Sequence, residues 1–223
     1  MTTCDDRVNF SDNSRLLIRG KIVDQNNAPI FDADIGVFAG RSDNFTTGLG
    51  FNGSGGGLIA RTGSDSDGNF SMITLYPDTE EFSVEVFSDE AFTKYSYRTD
   101  IFNFIPTDLT IDLGEIPLRL KSEVIVNINR TSPEGTELEY NLEYQNIFCR
   151  EVYFEEQLDE ELTACYETQQ IGGLLNDENS NLSRDLQSLV GSEIVLTYSI
   201  NGGTQQTQTF TIDQPTYEVN FTY

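Results

Sequence analysis

The chain has 223 residues, with 37 acids against 13 bases, a net charge of −24, and neither histidine nor tryptophan. Such charge argues against nucleic-acid binding, which rests on clustered Lys and Arg, and against docking of the protein surface on an anionic membrane. The missing histidine excludes Ser-His-Asp and Cys-His sites and a histidine-ligated catalytic zinc. With 15 Phe and 10 Tyr spread through runs rich in Val, Ile and Thr, the composition predicts an all-β chain long enough for two domains.

Residues 1–14 are polar and aperiodic and read as a tether. Within them Cys4 follows the small residues Thr2 and Thr3 and precedes Asp5 and Asp6. This start resembles that of a mature lipoprotein of the Bacteroidota type. The resemblance implies lipid attachment at Cys4, export, and an outer-membrane-anchored or extracellular location. The plain alternative is a free cysteine in a tail. No apolar run approaches the ~18–20 residues of a membrane-spanning helix.

Leu16–Asp24 alternates as a strand, and residues 25–29 form a turn ending in Pro29, which cannot donate to a central ladder. Ala33–Ala39 is the second strand. Residues 41–57 hold Gly48, Gly50, Gly53 and the run Gly55 to Gly57, and read as a long hairpin loop. The following residues read as strand, so a phosphate cradle, which needs a helix there, is rejected. Leu58–Thr62 and Phe70–Leu75 flank an acidic turn, residues 63–69. That turn fails as an EF-hand: Gly68 in the sixth position would put Gly63 first and Thr74 twelfth. Side-chain-capped turning explains it. Phe82–Phe87, Lys94–Phe104 and Leu109–Leu118 complete a first set of strands.

The segments Gly20 to Asp24, Pro29, Ala33 to Val37, Thr62 and Asp67 to Phe70 together resemble the carboxypeptidase regulatory-like family over residues 16–118. The resemblance implies a transthyretin-like β-sandwich of about seven strands and a non-catalytic accessory role. The 41–57 loop departs from the compact family pattern and is the first place to look for binding.

Glu123–Asn129, Leu138–Tyr144, Ile147–Phe154, Glu193–Ile200, Gln205–Ile212 and Tyr217–Tyr223 predict a second sandwich, immunoglobulin- or fibronectin-like in general build. Asn201-Gly202 marks a hairpin turn. Residues 155–191 are irregular in this reading, apart from a short helix over Leu182–Leu189 with Leu182, Leu186 and Leu189 on one face. The expected organisation is therefore all-β: a tether over 1–14, one antiparallel sandwich over 15–118 and a second over 119–223.

In an exported chain Cys149 and Cys165 are a candidate disulfide; in a reducing compartment they are two buried thiols. Glu155, Glu156, Asp159, Glu160 and Glu161 form the densest acidic run and read as a solvated loop rather than a calcium site. Seven Asn-X-Ser/Thr triplets are explained by the abundance of Asn, Ser and Thr. No catalytic residue, metal ligand or cofactor is assigned. The expected function is a non-catalytic exported or cell-surface lipoprotein acting as a binding or structural module, its extracellular protein or glycan ligand unidentified. The alternative is an accessory subunit or a carboxylate- or calcium-dependent enzyme acting on extracellular polymers.

Overall fold

A computed structural model describes residues 10–40, 56–77, 81–99 and 106–223. It is all-β, as the composition predicts, and divides into two compact units: residues 1–118 with 148–165, and residues 119–147 with 166–223. Each is a β-sandwich. Cys4 and most of the 41–57 loop lie outside the described residues, as does the end of the strand predicted over Lys94–Phe104.

The first unit begins with β1 (Phe10–Val23), β2 (Asp34–Gly40), β3 (Gly56–Gly63), β4 (Asn69–Pro77), β5 (Glu81–Phe87), β6 (Lys94–Thr99) and β7 (Thr110–Pro117). One sheet has the order β4-β1-β7. Its alternation is that of the sequence: Leu16, Ile18 and Ile22 point into the core and Arg19 points out. The facing sheet contributes Ile35, Val37, Phe82, Val84 and Val86, all fully buried. Between Arg19 and Lys21 the register with β7 slips, because β7 has one extra residue there; Gly114 takes a φ of +61° at that bulge.

The segments on which the family resemblance rests converge. Asp24 caps the first turn by accepting bonds from the Asn26 and Ala28 amides. Asp65 does the same for the Asp67 and Asn69 amides. The Ile22 amide donates to the Gly68 carbonyl at 2.8 Å. Gly68, with φ +80°, lies so close that a Cβ on it would sit 2.4 Å from the Ile22 carbonyl oxygen and 3.2 Å from the Pro29 ring. The acidic turn is thus a structural clamp on β1.

The second unit contains β8 (Lys121–Asn129) and β9 (Leu138–Gln145). After an excursion come β13 (Thr168–Leu175), β14 (Asn181–Leu189), β15 (Glu193–Ile200), β16 (Gln206–Thr211) and β17 (Thr216–Thr222). A four-stranded sheet, β13-β9-β15-β16, faces a three-stranded one, β14-β8-β17. Val124, Val126 and Ile128 pack in one core with Leu138, Leu142, Leu196 and Ile212. Asn201 and Gly202 turn with φ of 50° and 66°, the left-handed pair that a tight hairpin turn requires.

Three expectations are corrected here. The helix expected over Leu182–Leu189 is β14, an antiparallel partner of β8 over nine residue pairs from Asn181↔Asn129 to Leu189↔Lys121. Leu182 and Leu186 are four residues apart, a spacing that suits a helix turn and one face of a strand equally. Residues 155–191 are therefore largely strand. The sheets are also not purely antiparallel: β1 with β7, β8 with β17, and β6 with the strand Phe148–Phe154 are parallel pairs.

The third correction concerns the continuity of the second domain: the chain does divide between Leu118 and Arg119, but residues 119–223 do not all belong to the second unit. Residues 148–165 leave the second unit between β9 and β13 and join the first. They form β10 (Phe148–Phe154), β11 (Gln157–Leu158) and β12 (Ala164–Cys165). β10 pairs in parallel with β6, from Phe148↔Lys94 to Tyr153↔Thr99, which gives the larger sheet of the first unit the order β11-β10-β6-β5-β2-β3. At its root the excursion is closed within the second unit by the Asn146 amide donating to the Glu167 carbonyl. Parallel pairing of strands this far apart in sequence leaves no local trace, because alternation reports which face is buried and not which neighbour is bonded.

Candidate functional site

Seven strands in the larger sheet of the first unit, counting β12 on β10, face three in the smaller. A cavity of about 340 Å³ lies among β6, β10 and β7, lined by Tyr95, Tyr97, Tyr153, Ile111, Asp108 and Glu156, with Arg19 and Asp112 also part of its wall. That volume falls in the range of small-molecule sites, ~300–1,000 Å³.

Alternation builds the tyrosine wall. Tyr95 and Tyr97 are two apart on β6, so both face inward, and the parallel register sets Cys149 beside Tyr95, Glu151 beside Tyr97 and Tyr153 beside Thr99 on the same face. The Tyr97 and Tyr153 rings stack with centroids 4.9 Å apart and an interplanar angle of 30°. Tyr95 Oη donates to Glu151 Oε2 at 2.7 Å, and Tyr153 Oη donates to the same oxygen at 3.0 Å. One carboxylate thus fixes two phenols.

Burial pushes the Tyr97 phenol up to about 12, helped by the nearby charge of Glu156 and opposed by a hydrogen bond with Thr99. Burial likewise raises Tyr153 to about 12, reinforced by Glu151. Tyr95 is pushed up by burial and by its bond to Glu151. All three remain neutral phenols at physiological pH. On the opposite wall Arg19 Nε donates to Asp112 Oδ2 at 2.8 Å. The Gly114 amide and then Arg19 hold the Asp112 carboxyl below the usual carboxylate value.

Glu156 reaches the cavity from a two-residue turn joining β10 to β11, in which Tyr153 pairs with Leu158 and Phe154 with Gln157. Glu155 and Glu156 have φ of 49° and 62°. This is the left-handed pair of a tight hairpin turn, where Asn-Gly is favoured and a Cβ-bearing residue costs ~1–2 kcal/mol. Replacing Glu155 by Asn together with Glu156 by Gly is expected to stabilise the first unit by about 1–2 kcal/mol, read from the midpoint of its urea transition. An unchanged or lowered midpoint would show that the turn carries no such strain.

The residues singled out in the sequence distribute unevenly around this cavity. Of the acidic run only Glu156 lines it. Asp159 instead caps its own turn, accepting from the Glu161 and Leu162 amides. Cys149 and Cys165 are opposite partners across β10 and β12, with their sulfurs bonded at 1.97 Å. They lie beside the cavity wall and close the arm that carries Tyr153. Among the described residues one group of metal-ligating types converges, Cys149, Glu151 and Cys165, within 4.8 Å. With the sulfurs joined, no thiolate is offered, and Glu151 is held by two tyrosines. In the sequence Tyr95, Tyr97 and Tyr153 stand out only as aromatics of strands. The two-residue spacing of Tyr95 and Tyr97 on β6 is a readable signal; their meeting with Tyr153 of β10 is not.

No family model matches the chain, and no curated protein matches it. Solved structures give weak likenesses. The TIE protein of Bacillus anthracis is 10% identical with a TM-score of 0.33, over 95% of this chain and 34% of that protein. A shaft pilin of Lactobacillus rhamnosus GG is 7% identical with a TM-score of 0.30, over 93% and 97% of the two chains. A 3-chlorocatechol 1,2-dioxygenase of Rhodococcus opacus is 14% identical with a TM-score of 0.29, over 49% and 61%. This chain therefore spans about a third of the length of the TIE protein, and the likenesses are too distant to bear on function.

Proposed function

We propose that this chain is a non-catalytic binding or structural module displayed outside the cytoplasm, tethered through residues 5–14 to a lipid on Cys4. The observation that carries the reading is the Cys149–Cys165 bond, because disulfides persist in oxidising compartments. The strongly acidic surface and the convergence of Ile22, Pro29 and Gly68 accord with an exported module of the carboxypeptidase regulatory-like kind. The tyrosine-lined cavity of the first unit gives such a module a place to bind.

The test is made in the native host. The wild-type chain is expected to take up radiolabelled fatty acid and to sediment with membranes, while Cys4→Ser loses the label and appears in a soluble fraction. Peptide mapping without reductant is expected to recover Cys149 and Cys165 in one linked pair. An unlabelled wild-type chain in the cytosol, with both thiols free to alkylate, would overturn the proposal.

A further inference from the structure

We infer that the cavity walled by Tyr95, Tyr97, Tyr153 and Glu156 takes an organic cation, the ammonium or guanidinium head of a small molecule or of a partner's side chain. The inference deepens the binding role proposed above but is independent of where the protein resides.

Three features select a cation over a neutral or anionic ligand. The first is charge. Arg19 is the one basic residue lining the cavity among the described residues, and it is bonded to Asp112. Asp108 and Glu156 are left without a basic partner in the lining, and Glu151 lies just behind the tyrosines, in a chain whose net charge is −24. Such a field concentrates cations and repels phosphates and carboxylates.

The second is the aromatic surface. Three tyrosines converge from two strands, and tyrosine faces attract cations through the ring quadrupole, most strongly where water is excluded. Tyr95 and Tyr97 are nearly fully buried and form the floor, while the half-buried Tyr153 stands at the mouth. The third is the direction of the phenol hydrogens. Tyr95 and Tyr153 both donate to Glu151, so these two hydroxyls have no proton to offer a ligand. Donation toward a carboxylate also makes the rings richer in electrons. A cation is held by the ring faces and by the charge of Asp108, Glu156 and Glu151 around them.

The test titrates the full chain with choline, N-acetyl-lysine amide and N-acetyl-arginine amide. The uncharged choline isostere 3,3-dimethylbutan-1-ol and glucose serve as comparisons, and binding is read by calorimetry and by tyrosine ring NMR signals. At least one cation is expected to bind about tenfold or more tighter than the neutral isostere, with affinity falling as salt rises. Tightest binding of choline would identify a small-molecule site, and of either amide a side chain of a partner. Tyr153→Leu is expected to weaken binding about tenfold while Tyr153→Phe keeps most of it. Glu156→Gln, which leaves every ring in place, is expected to weaken it several-fold. Equal binding of choline and its isostere, binding of glucose in preference to every cation, or no Tyr153-dependent binding by any probe would each overturn the inference. Because purified chain is used, these outcomes stand apart from those of the Cys4→Ser experiment.

Discussion

Gly68→Ala is expected to destabilise the first unit by about 3 kcal/mol, whereas Gly114→Ala in the same unit costs about 1 kcal/mol. Both glycines have left-handed backbone, φ +80° and +61°, so both variants carry the conformational cost of a Cβ there, ~1–2 kcal/mol. They differ in surroundings. Nothing lies within 4 Å of a Cβ built on Gly114, while on Gly68 it would meet the Ile22 carbonyl oxygen at 2.4 Å. That oxygen is backbone near the C-terminal end of β1, and the Ile22 amide is bonded to the Gly68 carbonyl. Relief requires β1 and the turn to separate, which loosens the buried Ile22 and the Pro29 turn together. Overpacking of this kind adds ~1–3 kcal/mol. Urea denaturation of both variants checks the difference. Equal losses would mean that the acidic turn does not clamp β1.

Replacing Cys149 and Cys165 together by Ser is expected to lower the stability of the first unit by about 3 kcal/mol under non-reducing conditions. The bond closes a loop with a sequence separation of 16, and the chain-entropy model gives ~3 kcal/mol for such a loop. The effect should be local as well as global. β10 pairs with β6 through backbone bonds from Phe148 to Tyr153, so release of the arm unpairs one edge of β6. Hydrogen exchange at the β6 amides and loss of the Tyr97–Tyr153 ring contact are expected to accompany the drop in stability. Unchanged exchange along β6 with an unchanged urea midpoint would show that the arm holds its place without the cross-link.

The two units differ in how much of each could be read from the chain. In β9, Leu138, Tyr140 and Leu142 are buried on one face and Glu139 is exposed on the other, and the sequence alternates to match. There the local period and the final burial have the same cause, and the strand is legible. β14 was not, since Leu182 and Leu186 satisfy two periods at once and only pairing with β8 decides between them. β10 is the harder case. Its burial runs from exposed Phe148 through buried Cys149 to a series of half-buried residues, because it lies at a sheet margin with one face only partly covered. Nothing in such a run announces a partner some 50 residues earlier. The cavity shares that obscurity: its floor comes from β6 and its mouth from β10, two strands that no local pattern joins. The turn at residues 63–69 was legible in kind, a capped turn and not a calcium loop, since an Asp two residues ahead of a free amide is a local signal.

The arm also fixes an order of events during synthesis. The larger sheet of the first unit takes its last strands from residues 148–165, so that sheet lacks three of its strands while only the first 118 residues have emerged. Until then β6 presents an unpaired margin, the feature that invites wrong pairing between chains. The second unit is no better placed, since β9 waits for β13 and β15, which are made after the arm. Neither sandwich is therefore complete before the other is well begun. The chain must be held from aggregation as a single unfinished piece until about three-quarters of it is available, and a ribosome or secretion channel that releases it in halves would release two open sheets.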